Sequence, residues 1–185
     1  PLEIIWWGLE IDRRPISIAL KNKSFREQWS SKVLTILEEL NTKGEWRNNN
    51  SFGKILWDDA RNSINHLPSK LKFDLILLDP FSPNKCPQLW SEEFLHKLVK
   101  KIAPNGLLIT YCRAAAVRGS LRRAGLKILT IIPQDKNEEN WSDGTLGILP
   151  NECLESEITK KFICSELTLM EEEHLLTNAA IPYRD

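Results

Sequence analysis

Phe73 to Trp90, FDLILLDPFSPNKCPQLW, constrains this chain more than any other stretch. A short apolar run bounded by turn residues reads as a strand buried on both faces of a parallel α/β sheet. Asp79 falls at the carboxyl end of that strand, where open α/β sheets hold ligands and do chemistry. Pro80, Phe81, Ser82 and Pro83 are stiff and partly apolar, which suits a pocket wall better than a flexible connector. An acid on a rigid strand end beside such a loop can position an amine or a base. A strand-end aspartate that only caps a turn has the same sequence, so both readings stand at this point.

The rest of the chain alternates strands and helices around that stretch. Leu2–Ile11 is β-rich and ends near Glu10 and Asp12; Pro15 suits the first turn of a helix to Lys21. Phe25–Thr42 has one apolar face and reads as a single helix, with Ser24 and Glu27 as a capping box. Gly44–Phe52 is polar and reads as a loop, and Lys54–Trp57 is a strand running into Asp58, Asp59 and Ala60. A short helix from Arg61 to His66 stops at Pro68. Ser91–Ile102 is a helix with a serine cap and two early glutamates. Pro104-Asn105-Gly106 reads as a turn, Leu107–Cys112 as a buried strand, and Arg113–Arg123 as a helix closed by Gly125. Leu126–Ile132 is a further strand, followed by a polar loop to Asp143. Gly144–Leu149 then reads as an antiparallel edge strand, Glu171–Leu176 as a short helix, and Ala179–Asp185 as an extended tail. The pattern predicts a three-layer α/β sandwich with a mainly parallel sheet.

Composition narrows the function classes. With 185 residues, 42% of them hydrophobic, the chain can bury one real core. Lys plus Arg equals Asp plus Glu at 25 each, so net charge supplies no general attraction to nucleic acid or membrane, although a local basic patch stays open. Cys86, Cys112, Cys153 and Cys164 have no CxxC spacing and no metal-like pairing with histidine, which reads as reduced thiols in a cytoplasmic protein without a metal site. No apolar run approaches a membrane span and no signal-peptide pattern is present.

The run from Phe73 to Leu126 resembles the methyltransferase domain of the MnmC type, and the tail from Met170, MEEEHLLTNAAIPYRD, looks like the cyanobacterial version of that family. The resemblance rests on Asp79, on Phe81-Ser82-Pro83, on Lys85 with Pro87 and Trp90, and then on Pro104-Asn105-Gly106, Thr110-Tyr111 and Ala116-Val117-Arg118. It extends upstream through LWDDA and the Glu10 strand. It implies a class I, Rossmann-like fold and an S-adenosyl-L-methionine-dependent N-methyltransferase that completes a 5-methylaminomethyl group on a tRNA wobble uridine. Glu10 would hold the ribose hydroxyls, and Asp58, Asp59 and Ala60 the adenine. Asp79 would be catalytic and close to the cofactor. Phe81, Ser82, Pro83, Lys85, Trp90, Tyr111 and Arg118 would meet the substrate, with Trp90 and Tyr111 either stacking on the adenine or the extruded wobble base or simply packing in the core. Arg113, Arg122, Arg123, Lys97, Lys100 and Lys101 are candidates for the tRNA backbone, or simply solvated helix faces.

One departure accompanies the match. Nothing in the sequence resembles the glycine-rich first strand of class I methyltransferases, and the chain begins at Pro1 with strand-like residues. The expectation is therefore an N-terminally incomplete methyltransferase domain over 1–150, its first strand missing, with 151–185 as an extension packed on it or trailing from it. Two other readings share the fold: an aminopropyltransferase, disfavoured because Phe81 and Ser82 stand where a second acid belongs, and a non-catalytic RNA- or protein-binding module.

Overall fold

The computed structural model describes residues 3–132, 144–150 and 164–185. Leu2, the loop leading to Asp143, and 151–163 with Cys153 lie outside the described residues. The chain falls into two compact units, Pro1–Leu67 and Pro68–Asp185, a boundary with no counterpart in the sequence reading.

In the first unit, β1 (Ile5–Glu10) and β3 (Phe52–Trp57) pair in parallel, with Ile5 opposite Phe52 and Glu10 opposite Trp57. Helix α1 (Arg14–Lys21) carries Pro15 in its first turn, as expected. The single helix expected over Phe25–Thr42 is instead two, α2 (Lys23–Glu27) and α3 (Ser31–Lys43). Two side chains compete to start a helix here. Asn22 accepts the Phe25 N–H at 3.1 Å, and Ser30, in extended backbone, accepts the Val33 N–H at 3.4 Å. Trp29 falls in the break and is 46% exposed rather than part of the apolar face. Gly44, at φ +75°, ends α3 and turns the chain directly into β2 (Glu45–Arg47), antiparallel to β3, where the sequence suggested only loop. Helix α4 (Ala60–His66) follows β3.

The second unit is built on a sheet of order β4-β5-β7-β6-β8, comprising β4 (Phe73–Leu77), β5 (Ile102–Thr110), β6 (Lys127–Ile131), β7 (Gly144–Ile148) and β8 (Cys164–Glu166). Only β4 and β5 pair in parallel; the other neighbours are antiparallel, so the sheet is mixed rather than mainly parallel. Strand β7 is not an edge. It lies between β5 and β6 with all five residues buried, and Leu146 and Ile148 join Leu129 in the core. Strand β4, expected to be buried on both faces, has among the described residues a hydrogen-bonded neighbour on one side only, and Leu75 and Leu77 are 48% and 69% exposed.

Pro104-Asn105-Gly106 does not interrupt β5 as a turn. The pairing jumps from Phe73 opposite Ile102 to Leu75 opposite Leu107, so a bulge absorbs the extra residues. At Gly106 an added Cβ would lie 2.5 Å from the Phe73 carbonyl oxygen, so only glycine permits this approach. Helix α5 (Glu92–Val99) is capped by Ser91, and α6 (Ala115–Arg123) ends at Gly125, φ +104°.

The C-terminal residues are fastened to this unit. Helix α7 (Leu169–His174) starts at a Thr168–Glu171 capping box, two residues before the expected start at Glu171. Arg118 on α6 is 2% exposed and reaches Thr145 Oγ1 at 2.8 Å, Thr130 Oγ1 at 3.2 Å and Glu171 Oε1 at 2.6 Å. Farther along, Tyr183 bridges Ser91 in parallel, and Arg184 pairs with Glu92 and Glu93, each at 2.9 Å. Among the described residues no helix is long and apolar enough to cross a membrane.

Burial alone would raise the Glu171 pKa. The bond from Arg118, with those from the Thr168 N–H and hydroxyl, outweighs it and holds the carboxyl down at about 2. A depressed carboxylate stabilises the fold fully above its unfolded value, and that contribution is lost as pH falls through the folded value. Glu171→Gln should therefore cost about 3 kcal/mol at neutral pH, by stranding a buried guanidinium. It should also flatten the acid limb of stability below the ordinary value of 4.5. Urea unfolding of both proteins at neutral pH and through that limb checks each part.

Candidate active site

Two groups of predicted residues take shape, one in each unit. In the first, Glu10 and Asp58 stand at the carboxyl ends of neighbouring parallel strands, because Glu10 is in register with Trp57. Glu10 turns back on its own chain: Oε1 accepts the Ile11 N–H at 2.8 Å and the Asp12 N–H at 2.9 Å. Those two bonds fix the carboxylate in an exposed position with Oε2 pointing to no described donor. Beside it a cavity of about 280 Å³ is lined by Trp6, Gly8, Ile16, Ile55 and Trp57, with Asp12 at its margin. Gly8 keeps the cavity floor bare, since an added Cβ would come 2.6 Å from the Trp6 ring.

The neighbouring acids differ in what they already hold. Asp59 is the N-cap of α4, accepting the Arg61 N–H at 2.9 Å, and its other oxygen pairs with the Arg61 guanidinium at 2.8 Å. That guanidinium bond holds its carboxyl below the usual range. Asp58 is exposed and its carboxylate accepts only the Asp59 N–H among the described donors. Ala60 opens α4. An apolar recess with an anchored carboxylate in its lining supplies the apolar surface and the acceptor that fit an adenosine, whose base is flat and whose ribose offers two hydroxyl donors.

In the second unit the group forms around the end of β4. The Leu78 N–H bonds the Ile109 carbonyl at 2.9 Å, so pairing with β5 continues to the residue before Asp79. Asp79 is exposed and its carboxylate takes no hydrogen bond or ion pair from a described residue. The loop then tightens. Ser82 O accepts the Lys85 and Cys86 N–H groups at 2.8 and 2.9 Å, and Pro87–Trp90 forms a 3₁₀ turn.

Two aromatic residues meet this loop, and Trp90, a candidate to stack on a base, is enclosed instead. Trp90 is fully buried and donates its indole N–H to Phe81 O at 2.8 Å. Tyr111 is 40% exposed and donates its hydroxyl to Pro80 O at 2.7 Å. Their rings meet edge to face, centroids 6.0 Å apart. Phe81 is 75% exposed, and Lys85 is exposed on the same loop; Ser82 and Pro83 are half-buried. Arg118 is not at this surface, since its guanidinium is spent in the interior. Arg122 and Arg123 pair with Glu172 and Glu92, and Lys101 bonds the Pro68 carbonyl at 2.9 Å.

Residues 21–136, more than half of the chain, match a family described as S-adenosyl-L-methionine-dependent methyltransferases. The chain belongs to this family. It is similar to the tRNA 5-methylaminomethyl-2-thiouridine biosynthesis bifunctional protein MnmC of Azoarcus sp. (strain BH72), 39% identical over 74 residues. It is also similar to the protein of the same name from Dichelobacter nodosus, 31% identical over 74 residues. These matches take in 40% of this chain but only 11% and 12% of those proteins. The whole chain superimposes on 63% of the solved structure of MNMC2 from Aquifex aeolicus, with a TM-score of 0.68 at 21% identity. The fold is thus the Rossmann-like α/β fold of class I methyltransferases, with S-adenosyl-L-methionine as the family's cofactor.

Asp59→Ala removes the N-cap of α4 and should cost about 1 kcal/mol of stability. Asp58→Ala removes no cap and should leave stability within about 0.5 kcal/mol. Denaturant unfolding of the two variants side by side reads out the difference.

Proposed function

We propose that this chain is the catalytic part of an N-methyltransferase acting on the 5-aminomethyl group of a tRNA wobble uridine. The observation that carries the reading is Asp79: a carboxylate at the end of a parallel strand, unpaired among the described residues and joined to a loop held by Trp90 and Tyr111 that exposes one aromatic face. The membership of the family and the likeness to the MnmC proteins support it.

When bound, S-adenosyl-L-methionine supplies an electrophilic methyl group on a sulfonium. The protein's contribution is then alignment of a neutral amine and removal of its proton. Asp79 accepts a hydrogen bond from the amine N–H, which turns the nitrogen lone pair away from the carboxylate. As the new N–C bond forms, the nitrogen becomes an ammonium, and the same carboxylate stabilises it and takes the proton. Phe81 presents its face to the uracil ring of an unstacked nucleotide, the mode in which proteins read single-stranded RNA. Lys85 offers a cation to a neighbouring phosphate, with Ser82 and Pro83 walling the loop. In the first unit, Glu10 accepts from the ribose hydroxyls. Asp58 accepts from the adenine amino group, a role for which Asp59 is less suited because its two oxygens already serve Arg61.

Asp79→Asn in the full-length protein should lower methyl transfer to 5-aminomethyluridine tRNA at least 100-fold, with the cofactor dissociation constant within about twofold. Radiolabel transfer and calorimetry measure the two quantities; normal turnover with lost cofactor affinity would refute the role. Glu10→Ala should weaken cofactor binding by about 1–3 kcal/mol, the range for hydrogen bonds to a charged group. A dissociation constant equal to the wild type's would leave Glu10 as a strand end.

A further inference from the structure

We propose that Trp90 and Tyr111 are positioning residues for the Asp79 loop, a pair of donors that fix two successive peptide carbonyls and thereby aim Asp79 and Phe81. The inference rests on the methyl-transfer reading above and deepens it. The geometry is specific. Tyr111, one residue beyond β5, bonds Pro80 O at 2.7 Å; Trp90, at the end of the 3₁₀ turn, bonds Phe81 O at 2.8 Å. The donors come from different segments and approach adjacent carbonyls, so the Pro80–Phe81 backbone is held from both. The rings also brace each other edge to face at 90°. Proline at 80 removes one soft dihedral, and the two bonds restrain the peptide orientations on either side of Phe81.

The residues on each side of this clasp are the ones assigned to chemistry. Asp79 precedes the first clasped carbonyl, and Phe81, 75% exposed, carries the second. Leu78 is pinned to β5 through its N–H. An exposed aromatic on a polar loop normally swings; here its own backbone is tethered to a fully buried indole. The Tyr111 phenol, protonated at neutral pH by its ordinary pKa and pushed higher chiefly by burial, is available as a donor. Held groups matter because small misplacements of a catalytic side chain cost large factors in rate.

The test is Tyr111→Phe in the full-length protein, which removes one oxygen and keeps the ring contact with Trp90. The measurements are kcat and KM for methyl transfer, the cofactor dissociation constant, the melting temperature, and hydrogen–deuterium exchange of the Lys85 and Cys86 amides. The expected result is a fall in kcat of about tenfold, with cofactor affinity and melting temperature unchanged and faster exchange in the loop. Trp90→Phe should give the same pattern with a lower melting temperature, because buried volume is lost as well. Unchanged kcat overturns the proposal, whatever the exchange does. A fall in kcat without faster exchange also overturns it, since the hydroxyl then acts directly and not through the loop. Wild-type protein that methylates no offered amine refutes the methyl-transfer reading instead; unchanged exchange in Tyr111→Phe would then overturn the clasp on its own.

Discussion

A guanidinium withdrawn from water must find an acceptor for nearly every N–H, and in the second unit that demand falls on Arg118. Its four acceptors come from three elements: Thr145 and the Gly144 carbonyl on β7, Thr130 on β6, and Glu171 on α7. One buried cation therefore ties a helix to two adjacent strands and to a C-terminal helix distant in sequence. The antiparallel insertion of β7 between β5 and β6 is what brings those hydroxyls together. Replacing any acceptor with an apolar side chain leaves part of the charge unpaired, which is why such clusters fix one arrangement. The outer ion pairs of Arg122, Arg123 and Arg184 continue the same fastening at the surface, where each is worth less.

The same logic, donors supplied from the framework to otherwise unpaired acceptors, organises the loop after β4. There the acceptors are peptide carbonyls and the donors are a phenol and an indole. A loop rich in proline has few N–H groups of its own to fold upon, so its order has to come from side chains elsewhere. The result is a carboxylate and an aromatic face presented from a backbone whose carbonyls at Pro80 and Phe81 are bonded to the phenol and the indole.

The first unit solves a related problem with fewer parts. Parallel strands end side by side, so acids at the ends of β1 and β3 are delivered as neighbours by register alone. Which of those acids is available depends on local caps. Asp59 is used by α4 and Arg61, while among the described residues Glu10 and Asp58 are held only by adjacent backbone N–H groups.

Strand ends, helix caps and the acid-bearing turns were legible in the sequence because they depend on residues within a few positions: Pro15 and Ser91 at helix starts, Gly125 at a stop, Asp79 after an apolar run. The family resemblance also lay in such local motifs. The break at Trp29 was missed because Asn22 and Ser30 are both good caps, and an apolar period alone does not say which of two starts a helix. The bulge at Pro104–Gly106 was missed because the same tripeptide makes a turn unless a neighbouring carbonyl occupies the space that Gly106 leaves. Trp90 and Arg118 were expected at the substrate and are buried, and Tyr111 adds an internal bond to an exposed ring, for one shared reason. Indole, phenol and guanidinium groups serve equally well as binding surfaces or as internal donors, and only tertiary structure decides which. By itself the sequence determined where the elements and the acids are; the fold decided which polar groups are satisfied inside, since that depends on acceptors brought from tens of residues away.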